Sequence, residues 1–308
     1  MYQQKVLVDE NTIQRLSQKL KIQVVNSKIL FQGKGSSGNV VRVDLIDQLQ
    51  NEWHLILKPQ ETNFIQFYKE LLIPFSLNYP VILGSIKINQ RLYSIQQFIS
   101  HYDFQWANKD AYDQVLDWLI KKDQICIENL SKFKNLKYLG KMKFNGIDSW
   151  FNQIQKAISK SNRINKTLGD VLIKDRIKIQ NALRTIETAS PQTVIHGDLQ
   201  MNNILFGKDE FEDQLFVIDW TQPRIGSVCV DLAQLVDHAP LEIQNDLVEK
   251  YLGKIPIDNF QSKFHAAQLI RNLCYLAWMA LMINEREGSN IMQIEINRVS
   301  QQLIEGLA

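Results

Sequence analysis

Cysteine is scarce: three residues in 308, Cys126, Cys229 and Cys274, lie far apart with no CxxC spacing. An odd, dispersed set supports neither a disulfide framework nor a zinc site, and it suits a reducing cytoplasm. Proline (7) and glycine (13) are too few for a collagenous or low-complexity chain. Long hydrophobic runs are also missing. The longest, around Leu273 to Ile283, is shorter than the ~20 residues that a membrane-crossing helix needs and reads as a core helix. The start, MYQQKVLVDE, lacks the basic segment and apolar run of a signal peptide, so secretion is not expected and no membrane is implied. Neither sign of charge dominates: the net charge of +2 gives no reason to expect nucleic acid. What remains is ordinary globular usage, 45% apolar and 22% charged, with length enough for one large domain or two lobes.

The small net charge conceals a gradient. Residues 1 to 100 carry 11 Lys+Arg against 7 Asp+Glu, residues 101 to 193 carry 16 against 10, and residues 194 to 308 carry 8 against 16. A basic first part attracts polyphosphate, and an acidic last part suits divalent cations or a cationic substrate, although blocks of charge are also common on plain solvated surfaces.

Periodicity divides the chain near residue 100. KILFQ, the turn GKGSSGN, VVRVDLI, a polar break and EWHLILK form a three-strand meander. ETNFIQFYKELL then repeats apolar residues at helical spacing and stops before Pro74. VILGSIKI and RLYSIQQFI read as a hairpin turning near Asn89 and Gln90. Residues 1 to 100 are therefore expected to be a mostly antiparallel sheet with one inserted helix, and residues 101 to 308 a largely helical second lobe. Within that lobe sits one β-like island, VIHGDLQMNNILF followed by LFVIDW.

The island carries the chemistry. Asp198 and Asn203 stand five residues apart on an expected loop, and Asp219 ends the apolar run LFVI. Phosphoryl transfer needs a carboxylate beside the attacking hydroxyl and oxygen ligands for Mg²⁺ on the phosphates; one loop Asp, one loop Asn and a second Asp supply that set. Each alone is an ordinary turn residue, since Asp and Asn bond their own backbone in turns. Their order and spacing together favour the chemical reading.

At these residues the chain resembles the aminoglycoside phosphotransferase and choline kinase superfamily of small-molecule kinases. The resemblance rests on His196-Gly197-Asp198, Asn203, Ile218-Asp219-Trp220, Gly226 and Asp231-Leu232-Ala233, and extends over nearly the whole chain. It implies an α+β, bilobal, protein-kinase-like fold: an N-terminal nucleotide-binding lobe (1–100) and a C-terminal catalytic and substrate-binding helical lobe (101–308). It implies ATP and Mg²⁺ as cofactors, Asp198 as the catalytic base, Asn203 and Asp219 as metal ligands, and structural roles for His196 and Asp231. Gln200, Met201 and Asn202 depart from the His, Pro and small residue common in relatives.

The same resemblance places a phosphate loop at GKGSSGN, where Gly33, Gly35 and Gly38 allow close backbone approach and Ser36 and Ser37 add hydroxyls. Lys58, ending the third strand, takes the position of the lysine that pairs with the phosphates. Its usual partner is a Glu on the following helix, and helical angles favour Glu61 over Glu70. The backbone near Gln97 to Ile99 would bind adenine. Trp220 and Trp278 are candidates for lining a substrate pocket or for plain core.

The expectation is an ATP- and Mg²⁺-dependent cytoplasmic phosphotransferase acting on a hydroxyl of a small molecule: an aminoglycoside-like or other antibiotic, or alternatively choline or another amino-alcohol. A protein kinase fits poorly, because the loop has HGD rather than HRD and Asp219 is followed by Trp and Thr. A binding protein that kept the fold without turnover is the remaining alternative.

Overall fold

The computed structural model describes residues 8–35, 38–60, 62–102, 108–142, 147–160, 164, 166–220, 223–285 and 290–307. They form two compact units, Met1–Gln105 with Met201–Thr221, and Trp106–Gln200 with Gln222–Ala308. The chain leaves the first unit close to the expected boundary, but residues 201–221, expected with the helices, return to the sheet unit.

In the first unit, helix α1 (Glu10–Leu20) precedes the sheet and adds a second helix to the one expected. Asp9 caps it, accepting the Thr12 N–H at 2.8 Å and the Thr12 hydroxyl at 2.7 Å. Ile13, Leu16 and Leu20 fall on one face, and Leu16 is buried in the sheet core. Strands β1 (Val24–Gly35), β2 (Gly38–Asp47), β3 (Glu52–Pro59), β4 (Ile82–Ile88) and β5 (Arg91–Gln97) form one sheet in the order β1-β2-β3-β5-β4. All neighbouring pairs are antiparallel. Alternation decides which face is buried: Val41, Val43 and Leu45 point into the core with Leu55 and Leu57.

Turn chemistry sets the registers. Asp47 closes the β2–β3 connection by accepting from the Leu49 and Asn51 N–H groups, the Asn51 amide and the Trp53 indole. Asn89 and Gln90 both have positive φ, as a two-residue β4–β5 hairpin requires. The expected helix forms as α2 (Thr62–Phe67) continued by a π-helical turn, Tyr68–Leu72. After β6 (His101–Tyr102) the chain leaves, and the returning strand Ile204–Gly207 pairs with β6 and with Leu215–Val217.

The second unit opens on α3 (Lys109–Glu128), capped by Asn108, followed by α4 (Leu130–Lys134), α5 (Ile147–Lys160), α6 (Lys166–Lys174) and α7 (Arg176–Thr188). Strand Gln192–Ile195 pairs antiparallel with Arg224–Ser227. Helices α8 (Cys229–His238), α9 (Leu241–Leu252), α10 (Phe260–Glu285) and α11 (Asn290–Leu307) complete it. Residues Phe260–Ile283 of α10 are long and apolar enough to cross a bilayer. Here Leu273, Leu276, Ala277 and Ala280 instead form the core with α5, α6, α7 and α11, which is the core-helix reading. The three cysteines are free thiols.

Candidate active site

The described residues expected on the nucleotide side belong to the first unit. Lys58 lies at the end of β3, opposite Ser94 of β5, and is 9% exposed. Its ammonium stands 3.1 Å from Asp219 Oδ1. Asp219 follows the strand Leu215–Val217 and has φ 66°, a left-handed conformation that costs a non-glycine residue energy. The strand pairing that opposes Ile204 to Val217 carries Asn203 to the same end, where its carbonyl accepts the Ile218 N–H at 2.8 Å. The backbone positions of Asn203 and Asp219 thus lie at one end of the hairpin formed by Ile204–Gly207 and Leu215–Val217. An amide and a carboxylate as oxygen donors suit Mg²⁺, which usually takes one or two protein ligands and fills its octahedron with phosphate and water. Among the described residues no three His, Cys, Asp or Glu side chains converge on a metal position.

Behind Lys58 lies a polar cluster that the sequence analysis missed. The Ser94 hydroxyl donates to the Lys58 carbonyl at 3.3 Å and accepts from the Gln96 amide at 2.7 Å. Burial pushes the Tyr79 phenol up, a hydrogen bond with Gln96 opposes this, and the charge of Asp219 adds to it. Trp220 is core: its ring packs 5.2 Å from Phe67 and its indole N–H donates to the Val217 carbonyl.

Gly35 and Gly38 pair across the β1–β2 hairpin and Gly33 pairs with Val40, so the glycines flank the connection as expected. Ser36, Ser37 and Glu61 lie outside the described residues. The carboxylate that meets Lys58 among the described residues is that of Asp219, while Glu70 accepts from Gln66 at 2.9 Å. At the chain exit, the Gln97 and Phe98 N–H groups donate to the Val81 and His54 carbonyls. Ile99 is buried against Phe211 and Phe216.

The acceptor-side residues assemble in the second unit. Asp198 is exposed, and its carboxylate accepts from the Gln200 amide at 3.1 Å. The backbone before it is held from below. Asp231 of α8 accepts the His196 N–H on Oδ2 at 2.8 Å and the Gly197 N–H on Oδ1 at 3.0 Å. Gln234, one turn later, accepts the Leu199 N–H at 2.6 Å and donates to the Gly197 carbonyl at 3.1 Å. Gly197 itself has φ 80°, a conformation that explains glycine at this position. His196 is buried and its Nδ1 accepts the Asp198 N–H at 3.2 Å, consistent with a structural role.

Beside this loop α10 and α11 present an aromatic and charged set. Tyr275 and Trp278 stack at 5.8 Å with an interplanar angle of 5°, and Trp278 is 47% exposed. Burial pushes the Tyr275 phenol up, and the charges of Glu295 and Asp198 add to the shift. Arg298 forms a bidentate pair with Glu295 and holds that carboxyl below the usual range. Arg271 donates to Asp237 Oδ2 at 2.7 Å and to His238 Nε2 at 2.9 Å.

Burial, and then the Arg271 guanidinium, pull the His238 imidazole down to about 4. A folded-state pKa below the unfolded value means that the unfolded chain binds the extra proton first. Stability should therefore be complete above about pH 6.5 and be lost as pH falls toward 4, by on the order of 1–2 kcal/mol because solvent screens part of this half-buried group. Urea unfolding at pH 7 and pH 4.5 measures the loss, and in His238→Gln this component of it should be missing.

The comparisons agree with this arrangement. A family model described as "Phosphotransferase enzyme family" matches residues 149–254, the stretch that contains Asp198, Asn203, Asp219 and Asp231. No curated protein matches the chain. Among solved structures, choline kinase from Cryptosporidium parvum aligns with a TM-score of 0.64 at 15% identity, covering 96% of this chain and 97% of that one. Plasmodium vivax ethanolamine kinase aligns at 0.63 and 13% identity, covering 98% and 92%. A spectinomycin phosphotransferase solved with ADP and spectinomycin aligns at 0.58 and 14% identity, covering 95% and 98%. At such identities the neighbours establish the fold, which is that of the small-molecule kinases. Fold and family match together bear out the resemblance read from the HGD segment.

Proposed function

We propose that this phosphotransferase moves the γ-phosphoryl group of ATP, with Mg²⁺, to a hydroxyl of a cationic small molecule such as an aminoglycoside-like antibiotic. The observation that carries the reading is the hairpin end where Lys58 meets Asp219 at 3.1 Å with Asn203 alongside. A buried ammonium and a strained carboxylate are costly without a ligand to serve, and an Mg²⁺-nucleotide uses both. The backbone of Gly33, Gly35 and Gly38 would approach the phosphates, and the Gln97 carbonyl and Ile99 N–H would face adenine. Lys58 offsets phosphate charge once its ammonium turns from Asp219 to the nucleotide. Asn203 and Asp219 would hold Mg²⁺, which would offset negative charge on the phosphates. Asp198 orients the acceptor hydroxyl and takes its proton as the new P–O bond forms and the bond to ADP breaks. A cytoplasmic location, where Mg²⁺-ATP is abundant, goes with this reading.

The acidic balance of residues 194 to 308, 16 Asp+Glu against 8 Lys+Arg, supports a cationic acceptor. A second reading, an amino-alcohol such as choline or ethanolamine, is favoured by the Tyr275–Trp278 stack, whose electrostatic coupling to Asp198 brings a π-face to the acceptor side. Coupled ADP production with Mg²⁺-ATP across aminoglycosides, other hydroxylated antibiotics, choline and ethanolamine tests both. Turnover with one class selects it, and Trp278→Ala should then raise KM for a quaternary ammonium acceptor at least tenfold while leaving KM for ATP alone. Failure to bind Mg²⁺-ATP at all would leave a kinase-fold binding protein.

A further inference from the structure

Two adjacent residues of α3, Lys122 and Asp123, are 0% exposed, as is Asp231 of α8. The Lys122 ammonium lies 2.7 Å from Asp123 Oδ1 and 2.9 Å from Asp231 Oδ2, and donates to the Val194 carbonyl at 3.0 Å. Asp123 is fixed in turn by the Thr193 hydroxyl at 2.7 Å and the Tyr251 hydroxyl at 2.6 Å. Every polar atom of this cluster has a partner, and three of those partners are Thr193 and Val194 of the strand Gln192–Ile195 and His196, which follows it into the loop of Asp198. Nothing in the cluster touches solvent, so a purely structural plug of apolar residues would be cheaper. The charge has a use one step away, on the Asp231 carboxylate that receives the His196 and Gly197 N–H groups.

We propose that Lys122 is a positioning residue for phosphoryl transfer: it keeps Asp231 ionised in the interior, so that both Asp231 oxygens clamp the backbone that presents Asp198. A neutral carboxylic acid has one oxygen committed as a donor and cannot accept both N–H groups equally well. The charged groups facing Asp231 are Lys122 and Asp123 of α3, His196 before the loop, and, beyond them, the ionisable Cys126 and Tyr251. Of these, Lys122 supplies the opposing charge in contact. Burial, the largest influence, pushes the Asp231 carboxyl up, but the Lys122 ammonium, His196 and the Gly197 N–H together outweigh it and leave the group below its ordinary range; Asp123, which shares the same ammonium, is held above it by burial. Burial likewise opposes the Lys122 charge, and the two carboxylates overcome it.

The kinetic part of this inference rests on the phosphotransferase reading, so the test has an arm that does not. In Lys122→Met, amide hydrogen exchange at His196 and Gly197 should quicken at least tenfold while protection in α10 and the β1–β3 sheet stays at the wild-type level. With an acceptor in hand, kcat should fall about 100-fold, the cost of misplacing a reacting group by a fraction of its contact distance, with KM for ATP within twofold. Activity of the variant should also recover with rising pH, as Asp231 regains its charge, a profile that the wild type lacks. Unchanged exchange at those two amides in the folded variant would overturn the inference whether or not an acceptor is known. If Lys122→Met does not fold, Tyr251→Phe removes one donor from Asp123 and should quicken the same two amides by a smaller factor; wild-type protection there would equally reject the role.

Discussion

Asp198→Ala should abolish phosphoryl transfer while leaving nucleotide affinity within about twofold of wild type. General-base and orienting groups contribute about 10²–10⁴-fold, which sets the expected loss in kcat. The loop reaches its conformation without the Asp198 side chain. Gly197 supplies the positive φ, Asp231 holds the two preceding N–H groups, and Gln234 holds Leu199. The Asp198 carboxylate itself is exposed and bonded to Gln200. Lys58 and Asp219, proposed for the nucleotide side, pair with each other within the first unit, whereas Asp198 belongs to the second. ADP release in a coupled assay and ATP affinity by titration calorimetry separate the two quantities. Loss of ATP binding in this variant would contradict the assignment of Asp198 to the acceptor.

Asp231→Ala should be the more damaging change to the protein itself. It removes the acceptor of two backbone N–H groups and one of two carboxylates on a fully buried ammonium. Breaking a buried ion pair from one side costs about 3–5 kcal/mol, because the remaining charge stays desolvated. The expected readouts are a fall in Tm on the order of 10 °C and a matching loss in urea stability. Asp231→Asn should be milder, since the amide oxygen still accepts one N–H and the side-chain volume is kept. Equal stability of Asp231→Ala and wild type would show that the cluster relaxes around the cavity, and would remove the energetic basis for the clamp.

Much of the architecture was legible in order and spacing. The strands around Val41, Leu45 and Leu57 read directly from alternation, because a pleated strand with one buried face has a period of two. The hairpin at Asn89–Gln90 was legible because only a few residues tolerate successive positive φ values. Helix α1 was readable but passed over: Asp9 before a Thr12 at capping distance, with Ile13, Leu16 and Leu20 behind it, is an ordinary helix start. The proposal of Asp198, Asn203 and Asp219 as a set came from chemistry, since few residue types can serve both a hydroxyl and a divalent cation.

Lys122 and Asp123 show what could not be read. Standing beside Lys121 in a helix of mixed polarity, they look like a solvated face, and only the packing of α3 against α8 and the Gln192–Ile195 strand turns them inward. The Asp219 carboxylate beside Lys58 is a similar case: 161 positions separate the two in sequence, and the fold brings them to 3.1 Å. The return of residues 201–221 to the sheet unit belongs with it, for the same strand pairing that places Asn203 near Asp219 draws that segment away from the helices. Sequence by itself determined the residue types, the local periods and the spacing of the catalytic segment, because those depend on backbone geometry within a few residues. Which charges are buried together, and which carboxylate meets which lysine, was decided only by tertiary structure, since the cost of desolvating a charge and the partner that offsets it come from segments far apart in the chain.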